Sequence, residues 1–201
     1  MLLKVPRWVS EYRVGRLAKL VGQRLQRFDA ANVLDVGCGL GRITAQLQRA
    51  FPTFTFRGID IVVQPEAAIE VTRYDGSVIP FADKSMDVVL LLDVLHHADD
   101  PVELLQECGR VARSLVLVKD HVCETAYDWT RLASLDWLGN RPFDVPMRYA
   151  YFSRREWAAA FATAKVRCDS METQITTCPP PFDLLLDSGV QVLVELSPEP
   201  G

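Results

Sequence analysis

The sequence lacks a CxxC pair. Its five cysteines, Cys38, Cys108, Cys123, Cys168 and Cys178, are odd in number and widely spaced. That pattern argues against a disulfide framework and against a closed structural zinc site. A reducing cytoplasm is therefore the expected compartment. Long apolar runs are missing too. The run Val88–Leu92 falls far short of the roughly 20 residues that a membrane-spanning helix needs, as do the others, so no membrane span is expected. The segment MLLKVPRWVSEYR has no apolar core of a signal peptide. There is also no excess of positive charge. Lys and Arg total 22 against 26 Asp and Glu, a net charge of −4, so no nucleic-acid partner is expected. Histidine occurs only three times, at His96, His97 and His121.

What is present is enough apolar residue for one core: 49% of 201 residues, with no repeat or low-complexity tract. Val14, Leu17, Val21, Leu25 and Phe28 recur at helical spacing, and Arg13, Arg16, Lys19, Arg24 and Arg27 fill much of the other face. The arginines are expected to be solvated. Short apolar runs at 32–36, 54–59, 69–74, 86–92 and 114–119 read as strands, with helices at 43–50 and after Asp100-Pro101. Strands alternating with helices predict a parallel α/β sheet. Ser153 and Glu156 form a capping box for a helix through Ala164, and 165–175 and 190–196 read as closing strands that pair antiparallel.

The segment 33–43, VLDVGCGLGRI, carries the chemistry. A buried strand runs into Gly37, Gly39 and Gly41 and then into a helix. Glycines permit a tight turn and close approach of backbone to a ligand. Three carboxylates accompany the loop. Asp35, two residues before Gly37, would repel a pyrophosphate and attract an ammonium group. Asp60 ends the second strand, where it can accept both ribose hydroxyls of an adenosine. Asp75, followed by Gly76 after the third strand, can accept from an adenine amino group. Each alone reads equally well as a turn or cap residue. Together they share the edge of the sheet where open α/β folds bind ligands.

With these residues in place, the sequence resembles the class I S-adenosylmethionine-dependent methyltransferases, and within them the type 11 group that acts on small molecules and lipids. The matching stretches are VLDVGCGLGRIT (33–44), GIDI (58–61), YDGSVIPFADKSMDVVLLLDVLHHADDP (74–101) and LVLVKDH (115–121). The resemblance implies a Rossmann-like, seven-stranded, mostly parallel sheet with helices on both faces and the last strand antiparallel. It implies S-adenosyl-L-methionine as cofactor, with S-adenosyl-L-homocysteine as product. Gly37, Cys38 and Gly39 would line its methionine end, Asp60 would hold the ribose, and Ile61 would pack on adenine. Asp75 and Gly76 would meet the adenine rim, and Leu92 and Asp93 would lie beside the sulfonium. One departure stands out. The family usually has a full helix between the second and third strands, where only 61–68, interrupted by Pro65, is available here.

Methyl transfer requires little beyond positioning two reactants and excluding water. A base is needed only for an acceptor that must lose a proton. His96, His97, Asp120 and His121 stand at the ends of strands four and five, with His97 and His121 the leading candidates. No metal is expected. Asp93, His97 and His121 are ordinary ligand types, but no ligand-spaced motif supports such a site. Residues 127–152 hold Tyr127, Trp129, Trp137, Phe143, Tyr149, Tyr151 and Phe152, either as a helical cap or as an apolar wall for a small, flat or greasy acceptor. The chain reads as one domain: an N-terminal helix (1–30), a cofactor half (31–120) and a substrate side (121–201). The competing readings are an NAD-dependent oxidoreductase and a non-catalytic S-adenosylmethionine-binding protein.

Overall fold

A computed structural model describes residues 6–140 and 148–199. Among them seven strands form one sheet: β1 (Asn32–Val36), β2 (Thr55–Asp60), β3 (Val71–Arg73), β4 (Met86–Leu92), β5 (Ala112–His121), β6 (Val166–Thr173) and β7 (Gln191–Pro198). Their spatial order is β3-β2-β1-β4-β5-β7-β6. The β1–β2, β2–β3, β1–β4 and β4–β5 pairs are parallel, and β7 runs antiparallel to both β5 and β6. Six strands thus share one direction and β7 opposes them. The expected architecture holds, with the antiparallel strand inserted between β5 and β6.

Successive residues of β4 point to opposite faces, as the period of two requires. Val89 and Leu91 pack with α3 (Pro101–Val111) and α5 (Arg154–Thr163) through Leu104, Leu105, Trp157 and Phe161. Val88 and Leu90 pack with α1 (Arg7–Leu25) and α2 (Arg42–Ala50) through Leu17, Val21, Leu25 and Leu47. Covered on both sides, Val88 through Leu91 are fully buried, which is why that run is continuously apolar. The Asp100 carboxylate accepts from the Val102 and Glu103 N–H groups at 2.9 and 3.0 Å, starting α3 behind Pro101. The Ser153–Glu156 capping box starts α5. Helix α4 spans Ala126–Asn140, and a short α6 spans Phe182–Leu186.

Two expectations are corrected. The third strand is only three residues long, because the chain between β2 and β3 forms turns rather than a helix and gives β3 little to pack on. The arginines of α1 are not simply solvated. Arg13 reaches Asp93 and the Thr177 hydroxyl, Arg24 bonds Glu172 and Glu195, and Arg27 bonds Glu195. They tie α1 to the opposite end of the chain.

Candidate active site

The parallel strands end at one edge, and β1 and β4 diverge there in connection direction. That switch point is where open α/β sheets leave a crevice. A cleft of about 340 Å³ lies in it, lined by Gly37, Gly39, Leu40, Asp60, Ile61, Tyr74, Asp75, Gly76, Asp93, Val94, His97 and Arg148, among others. Its size suits a nucleoside-sized ligand.

The glycine loop is pinned from below. The Gly37 and Cys38 N–H groups donate to the Ile59 carbonyl at 2.8 and 3.2 Å. All three glycines have positive φ, but for different ends. A Cβ at Gly37 would stand 2.6 Å from Val94 Cγ2, and one at Gly41 would stand 2.3 Å from Ile69 Cγ1. A Cβ at Gly39 would meet nothing within 4 Å. Gly37 and Gly41 therefore permit packing, whereas Gly39 keeps the cleft floor open. The Gly39 N–H donates to Asp60 Oδ2 at 2.7 Å, and the Val62 N–H donates to Oδ1 at 3.0 Å. Each Asp60 oxygen then has a further lone pair for a ligand hydroxyl.

The β4 end is strongly charged. Asp93 lines the cleft and takes both Arg13 and Lys119. Burial opposes its ionisation, but the two cations hold its carboxyl well below the usual range. Burial, with Arg13 nearby, pushes the Lys119 ammonium down. Next comes a cluster of all three histidines. His96 is buried, with Nδ1 2.6 Å from Asp120 Oδ1 and Nε2 3.4 Å from Asp136 Oδ2. Burial disfavours its charged form, but Asp120 and Asp136 raise it to about 10. Asp120 also accepts from the Leu95 and His121 N–H groups at 3.0 and 2.8 Å. His97 Nε2 lies 3.9 Å from Asp136 Oδ1, and the Tyr151 hydroxyl donates to Asp136 Oδ2 at 2.7 Å.

Residues 34–116 match the family model described as "Methyltransferase domain". An O-methyltransferase, cnsE, of Penicillium expansum is 31% identical over 139 residues, covering 60% of this chain and 50% of its own length. A ubiquinone biosynthesis O-methyltransferase of Actinobacillus pleuropneumoniae is 28% identical over 104 residues, 44% of each chain. The chain spans about half the length of the curated relatives it matches. In fold it superimposes on the putative methyltransferase in complex with the Trm112 activator of Haloferax volcanii, with TM-score 0.70, 18% identity and 96% of both chains covered. The stretch that carries the glycine loop, Asp60 and the β4 end is thus similar to methyltransferase domains in sequence, and the whole chain is similar to them in fold.

The structure brings Gly37, Gly39, Asp60, Ile61, Asp75, Gly76, Asp93 and His97 to the cleft wall. The other expected site residues stand outside that wall. Asp35 is 3% exposed and accepts from the Thr44 hydroxyl beneath the loop. Burial pushes its carboxyl up to about 7, partly countered by Thr44. Cys38 turns its Sγ toward Gly58, Gly41 packs on Ile69, and Leu92 packs against the α1–α2 side of the core. His121 lies behind the wall, its Nδ1 3.2 Å from Asp120 Oδ1, and burial followed by Lys119 lowers its proton affinity. Asp75 faces the cleft, but its Oδ1 accepts from the Ser77 and Val78 N–H groups and so also shapes a turn.

The metal grouping of Asp93, His97 and His121 does not assemble. The clusters formed among the described residues are His96, Asp120 and His121, and His96, His97 and Asp136. Sequence reasoning missed Asp136, Arg13 and Tyr74. Tyr74 adjoins Asp75 in the sequence. Asp136 and Arg13 gave no local signal. Of the aromatic stretch, Phe143 lies outside the described residues. Tyr151 stacks on His96 at 5.5 Å, and Tyr149 and Trp129 continue the row at 6.4 and 6.1 Å. Phe152 instead packs on Trp157. No helix among the described residues is long and apolar enough to cross a membrane.

Proposed function

We propose that this domain binds S-adenosyl-L-methionine and transfers its methyl group to a small, apolar or aromatic acceptor, releasing S-adenosyl-L-homocysteine. The observation that carries this reading is the pairing of an open glycine, Gly39, with the Asp60 carboxylate across one cleft at the β1–β4 switch point. The cofactor supplies a sulfonium-bound methyl, an electrophile that needs no further activation. Asp60 holds the ribose, Ile61 packs on the adenine, and Asp93 stands where Arg13 and Lys119 fix its carboxylate toward the reacting end. An acceptor that must lose a proton loses it at the His97 wall, the one place where a histidine lines the cleft. His121 supports that wall from behind through Asp120. The similarity to O-methyltransferases of fungal and bacterial origin favours an oxygen acceptor.

Calorimetry with S-adenosylhomocysteine and, separately, with NAD tests the reading. Binding of the first and not the second is expected. In Asp60→Ala two charge-assisted hydrogen bonds disappear, each worth about 1.5–3 kcal/mol. Affinity for S-adenosylhomocysteine should fall at least about tenfold, and unchanged affinity removes Asp60 from the site.

The row Trp129–Tyr149–Tyr151 is the proposed acceptor wall. Tyr151 is 9% exposed and Trp129 46%. Trp129→Ala and Tyr149→Ala should raise the acceptor KM with S-adenosylhomocysteine affinity nearly unchanged, whereas Tyr151→Ala should chiefly lower the melting temperature. Normal turnover by folded Trp129→Ala and Tyr149→Ala proteins places the acceptor elsewhere.

A further inference from the structure

The histidine cluster contains two adjoining triads with different spacings. In the inner one, His96 Nδ1 and His121 Nδ1 lie 2.6 and 3.2 Å from the same oxygen of Asp120, which also accepts a backbone N–H. The 2.6 Å separation is that of a hydrogen bond. Ligands bound at about 2.0–2.1 Å around a tetrahedral ion sit roughly 3.3 Å apart, so this pair leaves no room for one. The outer triad is wider. His96 Nε2 is 3.4 Å from one Asp136 oxygen, and His97 Nε2 is 3.9 Å from the other. Those gaps lie near tetrahedral ligand spacing and exceed the roughly 2.7–2.9 Å of a charge-assisted N–H···O bond.

We infer that His96, His97 and Asp136 form a binding site for a divalent transition-metal ion, with zinc the best match, whose remaining coordination position faces the cleft lined by His97. Two imidazoles and one carboxylate are the ligand types of open zinc sites. The surroundings support the site independently of the ligand spacing. A ligating histidine usually donates its second ring N–H to a carboxylate, and a ligating carboxylate is itself hydrogen-bonded. His96 Nδ1 sits on Asp120, and the Tyr151 hydroxyl donates to Asp136. With Nδ1–H given to Asp120, the Nε2 lone pair of His96 points at the Asp136 carboxylate.

An acceptor hydroxyl at the open position would lose its proton more readily beside the ion. That use rests on the methyl-transfer reading, whereas ion binding itself does not. The test is titration of tag-free, metal-stripped protein with Co²⁺, followed by its visible absorption bands, and then displacement by Zn²⁺. One ion per chain is expected. Folded His97→Gln and Asp136→Asn proteins should bind at least about tenfold more weakly, in line with the roughly 10–100-fold effect of losing even an outer-shell partner. Circular dichroism checks each fold, and His97→Gln, at the cleft wall, stands apart from the buried His96 position. Absence of cobalt bands in the wild-type protein overturns the site, as do undiminished bands in both folded variants. S-adenosylhomocysteine calorimetry on the same metal-stripped sample separates the two readings. Nucleoside binding without cobalt binding overturns only the metal site, and cobalt binding without nucleoside binding overturns only the cofactor reading.

Discussion

Gly39→Val is expected to leave a folded protein that no longer binds S-adenosylhomocysteine measurably. The two properties separate because of where a side chain at this position would go. Within the protein it meets nothing, since an added Cβ has no heavy atom within 4 Å. It would instead project over the cleft floor that Gly37, Gly39 and Asp60 share. The backbone there is left-handed, with φ of 53°, and costs a non-glycine residue about 1–2 kcal/mol. The melting temperature should therefore fall by several degrees without loss of the cooperative transition. Gly37→Val is the contrasting variant. Its Cβ would stand 2.6 Å and 2.8 Å from the two γ carbons of Val94, so it should fail at the level of folding. Full S-adenosylhomocysteine affinity in a folded Gly39→Val protein would reduce the loop to a structural turn.

Asp120→Ala should give the largest loss of stability of any single change near the site, about 3–5 kcal/mol. Its carboxylate is 1% exposed and accepts from His96, from the Leu95 N–H and from the His121 N–H. Truncation leaves two buried N–H donors unpaired and takes one of the two carboxylates from a buried imidazolium. For a chain of this size that is a fall in melting temperature of roughly 6–20 °C. Asp120→Asn keeps an acceptor oxygen for the backbone and loses the charge, so it should fall between wild type and Asp120→Ala. A melting temperature within about 3 °C of wild type for Asp120→Ala would show that the histidine cluster contributes little to the fold.

Much of this domain was legible from local patterns. The apolar run 86–92 is β4 at the same boundaries, because a strand covered on both faces must be apolar throughout. Asp100 and Ser153 cap the helices they were expected to cap, because capping depends on residues within one turn. The glycine loop and Asp60 meet because parallel strands deliver their ends to one edge. Asp35 is less legible. Its position was right, but side-chain direction depends on Thr44, which sits on the next helix and takes the carboxylate inward.

What the sequence by itself determined is therefore everything governed by short-range periodicity and turn chemistry: the alternation of strands and helices, the caps, the glycine turn and the residues at each strand end. Only the tertiary structure decided at which glycine of the loop an added side chain would find open space rather than a packed neighbour. That depends on Val94 and Ile69, which approach from other segments. It also decided that Arg13 is a partner of Asp93 rather than a solvated charge, that β7 enters between β5 and β6, and that Asp136 joins His96 and His97. Arg13 and Asp136 lie on helices whose local pattern permits many orientations. Packing against the sheet selects one of them, and with it the charges that meet at the cleft.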